Sequence, residues 1–156
     1  MIRVLFVCMG NICRSPMADG VFTDLVTKAN LHDKFEIDSA GTISYHAGEL
    51  PHHGTLKVLA KHGISYSGHS RHIQRDDLNH YDYLIMMDST NFGDVRSIDR
   101  QKQYRHKLFK LLDFSSDRKG EDVPDPYYTG KFDQLYDMVL DACQGLLAHI
   151  REKHDM

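Results

Sequence analysis

Apolar positions along this chain repeat with two periods that take turns. Ile2-Arg3-Val4-Leu5-Phe6-Val7 is a short β-branched run closed by Gly10, the pattern of a strand buried on both faces. Met17, Val21, Phe22, Leu25, Val26 and Ala29 then fall at helical spacing, which predicts a helix from Ser15-Pro16 to about Asn30. Ser15 is expected to cap it and Pro16 to open it, since serine accepts free amides and proline's φ is already helical. Phe35 to Ala40 reads as a second strand ended by Gly41, and Leu56, Val58, Leu59 and Ala60 mark a helix that stops near Gly63. Tyr66 to Arg75 is polar and His-rich and reads as a loop, followed by a short helix from Asp76 to His80. Tyr83 to Met87 is a third strand, with Asp88-Ser89 placed to cap the next helix, and Lys107 to Leu112 is a fourth. Residues 113 to 130 show little periodicity, and a loop of that length in a small domain is commonly functional. Phe132 to Ile150 is the clearest helix, with Cys143 on its apolar stripe.

Strands alternating with helices imply right-handed crossovers and an α/β fold with a parallel sheet covered by helices on both faces. Such sheets bind ligands at the carboxyl ends of their strands, so the loops after strands one, two and four are the places to look. With 156 residues and neither repeat nor linker, residues 1–156 are expected to form a single domain. Hydrophobic residues are 41% and charged residues 26%, which excludes disordered and collagen-like classes. A formal net charge of −3 lacks the positive field of a nucleic-acid binder, so anion recognition must be local. Three cysteines, Cys8, Cys13 and Cys143, point to a reducing compartment. No apolar run approaches a signal core or a membrane span, so the expected location is the cytoplasm, with no membrane partner.

The chemistry concentrates in Cys8-Met9-Gly10-Asn11-Ile12-Cys13-Arg14-Ser15-Pro16. A strand ends at the first Cys and a helix begins just after the Arg. Gly10 permits close approach or positive φ, and Asn11 tolerates the left-handed region. The loop amides can therefore turn inward around an anion, reinforced by the helix N-terminus. A helix N-terminus or neighbouring cation lowers a thiol's pKa by several units, which would make Cys8 a nucleophilic thiolate. Arg14 offers a planar fork for two phosphate oxygens, and Ser15 a hydroxyl for the thiolate. Asp113, Asp117, Glu121, Asp122 and Asp125 are candidate general acids in the long loop. Asp125 is favoured because Pro124 and Pro126 stiffen the backbone around it and Tyr127-Tyr128 can flank an aromatic ring.

The chain strongly resembles the low-molecular-weight protein tyrosine phosphatases. Val7 to Pro16 carries that family's signature, and the resemblance continues through Asp38-Ser39-Ala40-Gly41-Thr42, Met87-Asp88 and Asp125-Pro126-Tyr127-Tyr128. It implies a four-stranded parallel sheet, order 2-1-3-4 and flavodoxin-like, in a three-layer sandwich. It also implies cofactor-free and metal-free hydrolysis of phosphotyrosine through a phosphocysteine, with Cys8 as nucleophile, Arg14 on the phosphoryl group and Asp125 as general acid and base. Met9, Gly10, Asn11, Ile12, Cys13 and Ser15 would bind phosphate or line the cleft, with Tyr45, Tyr127 and Tyr128 around the substrate. Asn11, Ser39 and Asp88 would support the loop. The implied partners are a phosphotyrosine protein or peptide and product phosphate, for a monomer or weak dimer. One departure stands out: the family often has His-x-x-Arg where the His supports Asn11, whereas here Gly68-His69-Ser70-Arg71 puts His69 one residue closer to Arg71.

Cys13 lies five positions from Cys8, so a sulfenic acid on Cys8 could be captured as a disulfide. Cys143 belongs to the core, and the eleven histidines have no convincing metal spacing. Four other readings stay open. A thiol-relay arsenate reductase needs further cysteines in mid-chain. A phosphoarginine phosphatase of the same family tends to carry Thr where Ile12 stands. A Cys-phosphorylated phosphocarrier domain needs neither the acid nor Arg14-Ser15. A silent phosphate-binding module would bind the anion without turnover.

Overall fold

The computed structural model describes residues 1–156. Four strands, β1 (Ile2–Cys8), β2 (Phe35–Gly41), β3 (Tyr83–Met86) and β4 (Leu108–Lys110), form one parallel sheet in the order β2-β1-β3-β4. The six helices are α1 (Arg14–Lys28), α2 (His53–Lys61), α3 (Arg75–His80), α4 (Ser89–Ile98), α5 (Pro126–Thr129) and α6 (Phe132–Lys153). The α/β fold and strand order are those expected from the sequence.

The unbroken apolar run of β1 follows from its central place. Val4, Phe6 and Cys8 face a core shared with α1, α2 and α6, while Leu5 and Val7 face a second core with Leu78 of α3 and Val95 of α4. Every residue from Val4 to Val7 is fully buried. The register pairs Cys8 with Gly41, so the ends of β1 and β2 lie side by side. Gly41 is required there, because a Cβ on it would stand 2.7 Å from the Met9 carbonyl oxygen.

Three local expectations differ. Ser15 does not cap α1. Cys13 holds that position, and Ser15 is the second helical residue, with its hydroxyl turned inward to Cys8. The fourth strand ends at Lys110, because residues 111–114 tighten into a 3₁₀ turn that buries Leu111 and Leu112. The long loop is not wholly irregular: Pro126–Thr129 makes one helical turn, which Gly130 ends in the left-handed region at φ 71°. The Asp88 cap forms as expected, accepting the Asn91 amide at 2.8 Å. Cys143 is fully buried, its thiol pushed up chiefly by burial.

Candidate active site

Residues 8–14 wrap between the end of β1 and the start of α1, and Cys8 lies 3% exposed at the bottom. The turn passes through Asn11 at φ +56°, a conformation that asparagine bears more readily than most residues. Positive φ thus falls on Asn11 and not on Gly10, whose missing Cβ instead makes room for the His46 ring. This backbone path brings the Asn11 amide to 3.2 Å from the Cys8 sulfur, which it faces as a donor. Ser15 places its hydroxyl 3.0 Å from the same sulfur.

Asn11 works from behind the loop. Its side-chain nitrogen donates to Ser15 Oγ at 2.8 Å and to Ser39 Oγ at 2.9 Å, and its side-chain oxygen accepts the Arg71 amide at 3.0 Å. These three bonds tie the loop to α1, to β2 and to the backbone at Arg71. Ser70 adds a further tie, donating to the Gly10 carbonyl at 3.0 Å.

Arg14 begins α1 and is 3% exposed. Its Nη1 donates to Asp88 at 2.7 Å and to the Val123 carbonyl at 2.9 Å, while Nη2 lies 3.6 Å from the Asp125 carboxylate. Burial by itself favours loss of this proton, but the charges of Cys8, Asp88 and Asp125 outweigh it and hold the guanidinium's pKa above its ordinary value. Asp88 thus serves two elements, one oxygen capping α4 and the other fixing Arg14. Val123 is held in turn by its amide on the Met87 carbonyl at 2.8 Å, which ties the long loop to the end of β3.

That loop delivers Asp125 to the rim of the cleft, where it caps α5 by accepting the Tyr127 amide at 3.1 Å. Cys8, Met9, Ile12, Cys13, Arg14 and Asp125 line the cleft floor and sides. Tyr45 (81% exposed), Tyr127 (54%) and Tyr128 (75%) stand around its mouth, a set of aromatic faces left open to solvent. Cys13 is buried, and burial, followed by the charges of Asp125 and Cys8, pushes its thiol up to about 12. No group of three or more His, Cys, Asp or Glu side chains is arranged to hold a metal ion.

The residues picked out in the sequence fall into two sets. Cys8, Met9, Gly10, Ile12, Cys13, Arg14, Tyr45, Asp125, Tyr127 and Tyr128 line the cleft. Asn11 and Ser15, expected there too, are instead fully buried behind its wall, where Ser39 and Asp88 also stand, because their side chains bond to one another. His69 does not join them and faces solvent. The phenol of Tyr66 occupies the place beside Ser39, at 3.2 Å, and donates to buried Asp19 at 2.8 Å. Tyr66, Asp19, Val123 and the cleft residues Ile43 and His46 were not singled out by sequence, and Arg71 entered only as the end of the shifted motif. Asp19 left one trace: with Ser15 and Thr23 it forms a polar row at four-residue spacing on an otherwise apolar helix face.

An open parallel sheet carrying a cysteine under an anion-shaped loop, with a buried guanidinium beside it, defines a cysteine-dependent phosphomonoester hydrolase. The family model for low molecular weight phosphotyrosine protein phosphatase matches residues 3–156. The chain is 45% identical to the low-molecular-weight protein-tyrosine-phosphatase YfkJ of Bacillus subtilis over 157 residues, covering 100% of both chains. It is 43% identical to PtpA of Staphylococcus aureus, over 96% of this chain and 94% of that one. The crystal structure of YfkJ superposes with a TM-score of 0.94, covering 98% of this chain and 96% of that one. A Drosophila arginine phosphatase, 32% identical, superposes at 0.89 over 96% and 98% of the two chains. The chain belongs to the low-molecular-weight protein-tyrosine-phosphatase family and is such an enzyme.

Proposed function

We propose that the chain dephosphorylates phosphotyrosine in proteins or peptides, with Cys8 as nucleophile, Arg14 as phosphoryl clamp and Asp125 as general acid and base. The observation that carries this reading is the convergence of the Asn11 amide and Ser15 hydroxyl on the Cys8 sulfur, with Arg14 buried beside it. In the first step the Cys8 thiolate attacks phosphorus. A P–S bond forms, the P–O bond to the aryl group breaks, and Asp125 gives its proton to the departing phenolate. Arg14 and the loop amides meet the charge that spreads over the equatorial oxygens. In the second step Asp125 takes a proton from water, which attacks phosphorus. The P–S bond breaks, returning the thiolate and releasing inorganic phosphate. Rapid-quench trapping should find phosphorus on Cys8 of the wild type, and more of it in Asp125→Ala. Unchanged turnover in Cys8→Ser would end the proposal.

Phosphotyrosine is favoured over phosphoarginine because Ile12, an apolar side chain on the cleft wall, offers a guanidinium no polar partner. The fold is common to enzymes of both names, so the wall and not the architecture must discriminate. Relative rates on the two phosphoamino acids decide between them.

Two further assignments belong to the same reading. Peroxide would oxidise the Cys8 thiolate to a sulfenic acid, and attack by Cys13 sulfur would expel water and form a disulfide that dithiol reverses. Cys13→Ser should then be inactivated irreversibly where the wild type is rescued. Free thiols at Cys8, Cys13 and Cys143 fit a cytoplasmic enzyme, and no helix is long and apolar enough to cross a membrane.

A further inference from the structure

We propose that Tyr66 and Asp19 are positioning residues for the nucleophile, acting on Cys8 through a single-file chain of hydrogen bonds. The chain runs from Asp19 Oδ2 to Tyr66 Oη (2.8 Å), to Ser39 Oγ (3.2 Å), to Asn11 Nδ2 (2.9 Å), to Ser15 Oγ (2.8 Å) and to Cys8 Sγ (3.0 Å). It rests on Cys8 being the attacking atom.

Proton counting fixes the direction of each bond. The Arg71 amide donates to Asn11 Oδ1, so the Asn11 nitrogen is the end facing the two serines, and it has two hydrogens to give. Both serine oxygens therefore accept from Asn11. Ser15 is left with one hydrogen, and the acceptor that faces it is the Cys8 sulfur. Ser39 is likewise left with one, which must go to Tyr66 Oη. Tyr66 can accept it only if its own hydrogen goes elsewhere, and an ionised Asp19, which can only accept, takes it. Protonating Asp19 weakens this end: the neutral acid is a poorer acceptor, which frees Tyr66 to turn its hydrogen on Ser39, and the Ser39 hydrogen then loses its acceptor. The charge on Asp19 thus keeps Ser39 committed to receiving from Asn11, and Asn11 committed to holding Ser15 toward sulfur.

The surroundings are built for this pair. Asp19 is 7% exposed and also accepts the Thr23 hydroxyl at 3.2 Å. Facing it from β2 is Asp38, itself paired with Arg71 at 3.1 Å, and from α6 the Cys143 thiol. Around Cys8 the charged or titratable groups are Arg14, Cys13 and Asp125. Gly68 leaves the space the phenol needs, because a Cβ there would lie 2.5 Å from Tyr66 Oη. Burial is the largest influence on the Asp19 carboxyl, raising it to about 6 against the lowering hydrogen bond from Tyr66. The switch in proton direction therefore falls within the working range of a cytoplasmic enzyme.

The test compares Tyr66→Phe and Asp19→Asn with the wild type by two pH profiles: iodoacetate alkylation of Cys8 followed by mass spectrometry, and kcat and KM on an aryl phosphate. Tyr66→Phe should lower kcat about 5- to 10-fold, the worth of one neutral hydrogen bond, with KM little changed. Its alkylation profile should move to higher pH. Adding Ser39→Ala to Tyr66→Phe should cost little more, since the chain is already cut. Asp19→Asn should remove a step near pH 6 from the kcat profile. Both profiles of Tyr66→Phe superimposing on the wild type would overturn the proposal, whether or not the melting temperature falls. Turnover surviving in Cys8→Ser would instead overturn the reading on which the chain depends.

Discussion

At the scale of single residues, the proposed mechanism asks the cleft to separate charge that must stay from charge that must move. Arg14 is pinned by Asp88 and the Val123 carbonyl, so its guanidinium is already in place when phosphate arrives. Asp125 is held through one oxygen at the Tyr127 amide, on a rim open enough to exchange protons with water. Asp125→Asn is expected to lower kcat on phosphotyrosine roughly 10²- to 10⁴-fold. The deficit should shrink on 2,4-dinitrophenyl phosphate, whose leaving group needs no proton, and stopped-flow rates on the two esters check this. An equal loss on both would place Asp125 in a binding role. Cys8, Gly10, Arg14 and Ser15 could be picked out in the sequence because those residue types at those offsets suit one anion. Tyr66 was not legible, since nothing in a lone tyrosine within a polar stretch says that its phenol reaches Ser39. The shifted His69 marked the segment as a departure, and from that segment it is Tyr66 that reaches Ser39.

Among elements, the loop is shaped as much by the neighbouring strand as by its own residues. The register that sets Cys8 against Gly41 leaves the Met9 carbonyl only the room of a hydrogen atom. Gly41→Ala should cost about 1–3 kcal/mol in urea denaturation, the usual range for overpacking against backbone. Inhibition by inorganic phosphate should weaken with it, because the pushed atoms belong to the anion loop. A variant with wild-type stability and phosphate affinity would show that this contact yields freely. Strands and long helices could be read from periodicity, since both faces of β1 and one face of α6 are buried. The short pieces could not: β4 ends where Leu111 and Leu112 turn into a tight coil, and α5 is a single turn held by Asp125 and ended by Gly130. Such segments take their form from tertiary contacts more than from local pattern.

For the molecule as a whole, burying Asp19 trades stability for order around the nucleophile. Its carboxyl is raised to about 6 in the folded protein, first by burial, from an ordinary 3.8. Between those values the folded chain keeps a proton that the unfolded chain has lost. This group's contribution is therefore full below about pH 4 and lost as pH rises through 6. Asp19→Asn removes that dependence. Its stability relative to the wild type should rise by roughly 3 kcal/mol from pH 4 to pH 7, read from urea midpoints. A gap that stays constant with pH would show that Asp19 does not titrate in this interval.

The shared carboxylate of Asp88 also makes helix α4 a listener. Any anion that tightens Arg14's grip on one oxygen steadies the other oxygen against the Asn91 amide, one carboxylate away from the guanidinium. Saturating vanadate should therefore slow deuterium uptake at the first turn of α4 while its C-terminal turn exchanges as before. Occupancy of the cleft would then be audible in a helix that contributes no residue to its lining.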